Sequence, residues 1–198
     1  MNNEPEGHLS KQERSFLIDL VKKIKPIKIL ECGTWKGGGS TLCFAKGLLA
    51  NQKGILDTYE EYEPFFSGAK NYYSSSQYKS FVNLYNGDFL TEIQKLNDEY
   101  YSDLELVFLD GGDENPNGLP KLEDNKYIED YNVSENVQFF KYLSGKIKAG
   151  TILLLHDWSI PNGRGNFVKR YLDDINFEGF ALLDVIGGST GMAYLIKK

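Results

Sequence analysis

The sequence has little cysteine and little histidine, with two of each among 198 residues. Cys32 and Cys43 match neither a CxxC pair nor the spacing of a zinc finger, so no zinc module is indicated. Two small, buried thiols in a reducing cytosol are favoured over a disulfide.

Long apolar runs and an excess of positive charge are also missing. No segment approaches the run of about 20 apolar residues that a membrane helix requires, and the formal net charge is −6. Proteins that bind nucleic acids usually carry a basic surplus or a basic stripe, so we expect neither a membrane nor a nucleic acid as partner. Residues 1–6 show neither the basic nor the apolar region of a signal peptide, and the expected location is the cytoplasm.

The sequence does contain a regular alternation of strand-like and helix-like segments. The predicted strands lie at 27–30, 54–57, 81–85, 104–109, 151–155, 180–185 and 192–196. Helical spacing lies between them, and Ser10 with Glu13 predicts a capping box at the first helix. The order predicts an α/β fold: a Rossmann-like, doubly wound sheet of about seven strands, mostly parallel with an antiparallel C-terminal strand, and helices on both faces.

The whole chain, residues 1–198, is expected to form one domain. Residues 111–133 show little periodicity, and a loop of that length inside a compact domain is usually functional or disordered. We expect this insert on the substrate side, with Tyr127 and Tyr131 as residues that stack on the substrate or anchor the loop.

Acidic residues follow the predicted strands. They are Glu31, Asp57, Asp88, Asp110 and Asp157. The carboxyl ends of parallel strands meet at one edge of the sheet, where ligands bind in such folds. Like charges that converge on one crevice repel each other unless a ligand or a cation offsets them. We therefore expect the ligand site at this edge.

A glycine-rich turn, residues 33–40, follows the first strand. A phosphate loop requires lysine directly before serine or threonine, but Gly39 occupies that position. A dinucleotide loop requires glycine where its backbone approaches the pyrophosphate, but Trp35 stands there. The turn is therefore not typical of either phosphate-binding class.

The segment ECGTWKGGGST, residues 31–41, resembles motif I of the class I S-adenosylmethionine-dependent methyltransferases, in particular their catechol O-methyltransferase-like, small-molecule group. Residues 86–89, 108–112 and 148–157 are similar to later motifs of that family, in the same order. The resemblance covers nearly the whole chain. It implies S-adenosylmethionine as cofactor and O-methylation of a small molecule such as a sugar, a phenolic or a natural-product metabolite.

The resemblance also implies which residues bind the cofactor. They are Glu31, Gly33, Thr34, Trp35, Gly37, Ser40, Asp57, Thr58, Asp88, Phe89 and Asp110. Asp57 would lie at the end of the second strand, where a carboxylate accepts hydrogen bonds from both ribose hydroxyls. Residues 86–89 would hold the adenine, and an acidic crevice suits the sulfonium cation.

Activation of the methyl acceptor follows from the same resemblance. In the catechol-type branch, carboxylates after strands four and five and an adjacent asparagine hold a divalent cation. Asp110 and Asp157 match the carboxylates, so Mg²⁺ or another divalent cation is a candidate cofactor. Trp158 stands at the asparagine position and Asp113 at the position of a basic lysine. The catalytic candidates are His156, Asp113 and Asp157, with His156 either a general base or a core residue.

Several alternatives stay open from the sequence. His8 is a secondary candidate, because related enzymes close the segment before the first helix over the cofactor. A nicotinamide-dependent oxidoreductase on the same fold and a non-catalytic nucleoside-binding module are the other functions. The sequence does not decide the identity of the methyl acceptor, whether a metal is required, or whether the chain forms a homodimer.

Overall fold

The computed structural model describes residues 4–112, 131–161, 163–187 and 190–198. The strands are β1 (Lys28–Cys32), β2 (Ile55–Glu60), β3 (Val82–Asn86), β4 (Leu104–Leu109), β5 (Ile152–His156), β6 (Phe180–Ile186) and β7 (Met192–Lys197). The helices are α1 (Lys11–Ile24), α2 (Ser40–Asn51), α3 (Glu63–Ser75), α4 (Phe89–Ile93), α5 (Asp98–Ser102), α6 (Glu135–Ser144) and α7 (Arg164–Asp174), with a short 3-10 helix at Tyr131–Val133.

The strands form one mixed sheet in the order β3-β2-β1-β4-β5-β7-β6. Strands β1 to β5 pair with one another in parallel, and β7 runs antiparallel to both β5 and β6. The predicted fold, mostly parallel with an antiparallel C-terminal strand, is confirmed. Because β1 lies between β2 and β4, the strand order reverses there, and this fold places its ligand at the carboxyl end of such a strand.

Alternate residues of the central strands face two separate cores. Leu30 and Val107 pack with α4 to α7 on one face. Ile29 and Phe108 pack with α1 to α3 on the other face. Because helices cover both faces, the strands read as nearly continuous apolar runs. The prediction of helices on both faces is also confirmed.

Helix α1 begins at the predicted capping box. The Ser10 hydroxyl accepts a hydrogen bond from the Glu13 amide at 3.3 Å, and Glu13 Oε2 accepts one from the Ser10 amide at 2.8 Å. The helix packs closely on α2. Gly47 permits this approach, since a Cβ at that position would lie only 2.6 Å from Val21 Cβ. Across the described ranges, no helix is long and apolar enough to cross a membrane.

Candidate active site

The turn between β1 and α2 contains several residues with positive φ. Gly33 and Gly37 have φ values of 95° and 81°, a region that favours glycine. A Cβ on Gly33 would also lie 2.5 Å from the carbonyl oxygen of Asp110. Trp35 has a φ of 49°, and its amide donates to Glu60 Oε2 at 2.7 Å. The turn therefore closes over the carboxylate that ends β2.

Glu31 is fully buried beneath the start of α2. The Thr41 hydroxyl donates to its Oε2 at 2.7 Å. Its Oε1 accepts no well-oriented hydrogen bond from the residues that the structure describes. Burial raises the pKa of Glu31 to about 7, although nearby hydroxyl groups partly oppose this. Glu31 is therefore a buried carboxyl group that ties β1 to the start of α2 through Thr41.

Three other predicted cofactor residues surround the same turn. The Thr34 and Thr58 hydroxyls lie 2.5 Å apart, and both residues are buried. Ser40 is the buried first residue of α2. Gly39 precedes the helix and supplies no side-chain cap, so the first amides of α2 are left for other acceptors.

Residues 4–9, which we call the N-terminal strap, lie across the turn. The Gly38 amide donates to a strap carbonyl at 3.0 Å. The Arg14 guanidinium donates to the Gly38 carbonyl at 2.9 Å and to two strap carbonyls. The ring centroids of His8 and Trp35 are 4.3 Å apart. The structure thus places His8 beside the predicted cofactor turn, and Arg14, which no sequence motif indicated, holds the strap there.

The prediction that Asp57 ends the second strand is wrong, because β2 continues to Glu60. The buried Asp57 carboxylate accepts hydrogen bonds from the Tyr100 hydroxyl at 2.9 Å and the Asn83 amide at 2.8 Å. These bonds compensate the cost of burying its charge. The acid at the strand end is Glu60, whose Oε1 accepts a hydrogen bond from the Tyr62 amide at 2.9 Å.

Asp88 and Phe89, predicted near the adenine, have structural contacts. The Asp88 carboxylate caps α4 by accepting a hydrogen bond from the Thr91 amide at 2.7 Å. The buried Phe89 ring packs against Tyr59 and Phe139, with centroid distances of 5.6 and 5.0 Å. The Phe89 side chain is therefore part of the core, and a contact of residues 86–89 with adenine stays a prediction.

Five charged side chains meet at the carboxyl ends of β4 and β5. His156 Nδ1 lies 3.2 Å from Asp110 Oδ1 and 3.2 Å from Asp157 Oδ1. His156 Nε2 lies 3.4 Å from Glu13 Oε1. Arg164 Nη1 lies 2.8 Å from Asp110 Oδ1 and 3.2 Å from Asp157 Oδ2. We call these five residues the charged cluster; it unites three predicted site residues with Glu13 and Arg164, which sequence reasoning did not place here.

The three carboxylates of the charged cluster favour the protonated form of His156. Burial alone disfavours this charge, but the attraction of the three carboxylates raises the pKa of His156 well above its ordinary value. Burial also opposes the ionisation of Glu13, yet the contacts with His156 and Ser10 lower its pKa to about 2. An imidazolium has no lone pair to accept a proton, so a general-base role would require His156 to lose its proton first, and that role stays a prediction.

Arg164 reaches the cluster because two glycines flank it. A Cβ on Gly163 would lie 2.5 Å from the Asp157 carbonyl oxygen, and one on Gly165 would lie 2.3 Å from that of His156. The first turn of α7 therefore packs directly on the end of β5. Asp157 has a φ of 58°, a left-handed conformation that aspartate tolerates better than most residues.

Two other residues from the sequence predictions that the structure describes, Tyr131 and Trp158, are not brought to the cluster. Asp113 and Tyr127 lie outside the described residues. Tyr131 hydrogen-bonds to the carboxylate of Asp174, which anchors its end of the insert. The Trp158 indole is buried in the core, so it supplies no metal ligand at the position of the family's asparagine.

The model of the methyltransferase domain family matches residues 30–158. The match covers well over half of the chain and extends from β1 to the residue after Asp157. The chain belongs to this methyltransferase family. This match confirms the family that was predicted from the sequence. No curated protein matches the chain.

Solved structures of other methyltransferases share its fold. An O-methyltransferase from Bacillus cereus in complex with SAH has a TM-score of 0.73 and 21% identity, over 99% of this chain and 85% of that chain. The O-methyltransferase TomG from Streptomyces achromogenes, involved in tomaymycin synthesis and in complex with SAM, has a TM-score of 0.72 and 16% identity, over 96% and 82% of the two chains. A methyltransferase from Geobacter sulfurreducens has a TM-score of 0.66 and 13% identity, over 96% and 80%.

Proposed function

We propose that this methyltransferase transfers the methyl group of S-adenosylmethionine to an oxygen atom of a small molecule. The observation that carries the proposal is the turn after β1, which leads from buried Glu31 to the start of α2 and closes over Glu60. The family match supports the reaction class. The shared fold of O-methyltransferases in complex with SAM or SAH supports the cofactor and the acceptor atom.

The residues at the turn suit a nucleoside without phosphate groups. A carboxylate offers about four acceptor positions, and two backbone amides contact the Glu60 carboxylate. The remaining positions can accept hydrogen bonds from both ribose hydroxyls, so Glu60 replaces Asp57 as the proposed ribose-binding acid. Glu31 would support the turn from behind, through its hydrogen bond with Thr41 at the start of α2.

Bound S-adenosylmethionine supplies a methyl group that its sulfonium activates for transfer. Such a displacement requires alignment of the reactants rather than a covalent enzyme intermediate. The N-terminal strap restricts the turn on one side, with His8 against Trp35. The backbone of Asp110 contacts Gly33 on the other side. These contacts fix the turn, and the acidic sheet edge favours a cationic ligand.

The charged cluster forms the proposed acceptor side of the site. Asp157, directly after β5, is proposed to accept a hydrogen bond from the acceptor hydroxyl and so orient its oxygen atom. The side chains of Asp157 and Arg164 are only 16% and 18% exposed, so their charges are weakly screened. Arg164 offsets part of the negative charge of Asp110 and Asp157, which would otherwise raise the pKa of a hydroxyl placed beside them.

The test is methyl transfer from S-adenosylmethionine labelled in its methyl group to a panel of phenols, sugars and hydroxylated metabolites. We expect the label on an oxygen atom of at least one acceptor, located by mass spectrometry and NMR. Binding of S-adenosylhomocysteine without transfer to any acceptor would favour the nucleoside-binding module. Binding of NADH with no response to S-adenosylmethionine would favour the oxidoreductase.

A further inference from the structure

The side chain of Arg164 joins the two carboxylates that would hold a divalent cation in the catechol-type methyltransferases. Its Nη1 contacts Asp110 Oδ1 at 2.8 Å and Asp157 Oδ2 at 3.2 Å. Its Nε also donates to the Gly112 carbonyl at 3.4 Å. One guanidinium thus uses an oxygen atom of each proposed metal ligand.

The residues around Arg164 do not fit a metal site as they stand. Ligand atoms of Asp110, His156 and Asp157 lie within 4.8 Å of one another, a spacing that a metal ion could bridge. However, the Arg164 guanidinium already contacts an oxygen atom of Asp110 and one of Asp157. The Trp158 indole, in place of a third ligand, is buried in the core. A metal ion would have to displace the guanidinium from the oxygen atoms it needs.

The charges of the cluster also argue against a bound metal ion. Among the described residues, the Arg164 guanidinium contacts the carboxylates of both Asp110 and Asp157. Its removal would leave these two carboxylates with one more uncompensated negative charge, which would favour a divalent ion. The guanidinium thus offsets part of the charge that would otherwise attract the metal.

Arg164 is held in this position by the backbone around it. Gly163 and Gly165 allow the first turn of α7 to contact the end of β5. A planar guanidinium with fixed donors suits two carboxylates better than a flexible ammonium does. The contact therefore belongs to the packing of α7 on the sheet and is not an isolated surface ion pair.

We propose that Arg164 is the resident cation of the charged cluster and takes the place between Asp110 and Asp157 that a divalent metal would otherwise hold. The methyltransferase then binds no divalent metal at this position. Arg164 acts as a positioning residue, because it orients the two carboxylates on the acceptor side. This consequence for catalysis rests on the proposed function, whereas the metal-binding statement does not.

Titration with Mn²⁺, followed by the electron paramagnetic resonance signal of the free ion, tests the proposal, since carboxylate sites that suit Mg²⁺ also suit Mn²⁺. Wild type and Arg164→Lys, which keeps the positive charge, are expected to show no stoichiometric binding. Arg164→Met is expected to gain one Mn²⁺ per chain, at least about tenfold tighter than wild type. Adding Asp157→Asn to that variant should remove the gain. Lys169→Met, which removes a cation elsewhere on α7, is the control and should behave like wild type.

Stoichiometric Mn²⁺ binding by wild type that Asp157→Asn abolishes would overturn the proposal. A folded Arg164→Met variant that gains no Mn²⁺ would overturn it as well, with folding checked by circular dichroism. If Arg164→Met does not fold, the results for wild type and Arg164→Lys still decide. Each titration is run with and without S-adenosylhomocysteine. If the proposed function is wrong, S-adenosylhomocysteine will not bind, and the Mn²⁺ titration can still be interpreted.

Discussion

Replacing Glu60 by glutamine should weaken the binding of S-adenosylhomocysteine about 10- to 100-fold. The Glu60 carboxylate accepts hydrogen bonds from the amides of Trp35 at 2.7 Å and Tyr62 at 2.9 Å, one on each oxygen atom. Both oxygens are proposed to accept a ribose hydroxyl as well. Glutamine leaves one acceptor oxygen and no charge. One hydrogen bond to a charged group, worth about 1.5–3 kcal/mol, is therefore lost.

Isothermal titration calorimetry measures this loss, with Glu61→Gln as the matched control. Glu61 is the exposed neighbour of Glu60, so the control makes the same change of charge at the same strand end, and we expect it to bind like wild type. Thermal unfolding should show that both variants keep the fold. Wild-type affinity in Glu60→Gln would refute the assignment of Glu60 as the ribose-binding acid.

Three further predictions test other parts of the structure. Asp57→Asn should lower the free energy of unfolding by about 1–3 kcal/mol and leave nucleoside affinity unchanged; a selective loss of affinity at full stability would restore the sequence-based assignment. Gly165→Ala should lower the melting temperature, because its Cβ would lie 2.3 Å from the His156 carbonyl oxygen, whereas Gly68→Ala, with open space at that position, should raise it slightly. The pKa of Glu13 is lowered from 4.5 to about 2 in the folded protein. The ionised Glu13 side chain therefore contributes to the free energy of unfolding in full above pH 4.5, and this contribution is lost as the pH falls toward 2. Glu13→Gln should therefore flatten the pH dependence of urea unfolding between pH 4.5 and 2, and an unchanged slope would argue against the contact with His156.

The sheet and the glycine turn could be predicted from the sequence because local patterns specify them. Strands buried on both faces read as apolar runs, and helical spacing marks the segments between them. The positive φ values of Gly33 and Gly37 agree with glycine positions read directly from the turn. Ser10 and Glu13 likewise form the capping box that their spacing predicts.

The end of the second strand, and with it the proposed ribose-binding acid, could not be located in the same way. Asp57 looks like the end of a strand because a carboxylate is rarely buried within one. Its burial depends on Tyr100, which lies 43 residues later in the chain. No local pattern connects these two residues, so the true strand end at Glu60 became visible only in the folded protein.

Only part of the charged cluster could be predicted from the sequence, for a similar reason. Asp110 and Asp157 follow predicted strands, but Glu13 comes from α1 and its capping role gives no hint of a second contact with His156. The available signal for Arg164 was its position between two glycines shortly after the fifth strand. Glycines that allow a close approach look no different in sequence from glycines of an ordinary loop.

Calorimetric titration of the 198-residue chain with S-adenosylhomocysteine tests whether the turn after β1 is a nucleoside site. We expect one molecule bound per chain and a clear loss of affinity in Glu60→Gln but not in Glu61→Gln. The absence of any binding heat at millimolar S-adenosylhomocysteine, in protein shown to be folded, would contradict the proposed cofactor and with it the proposed reaction.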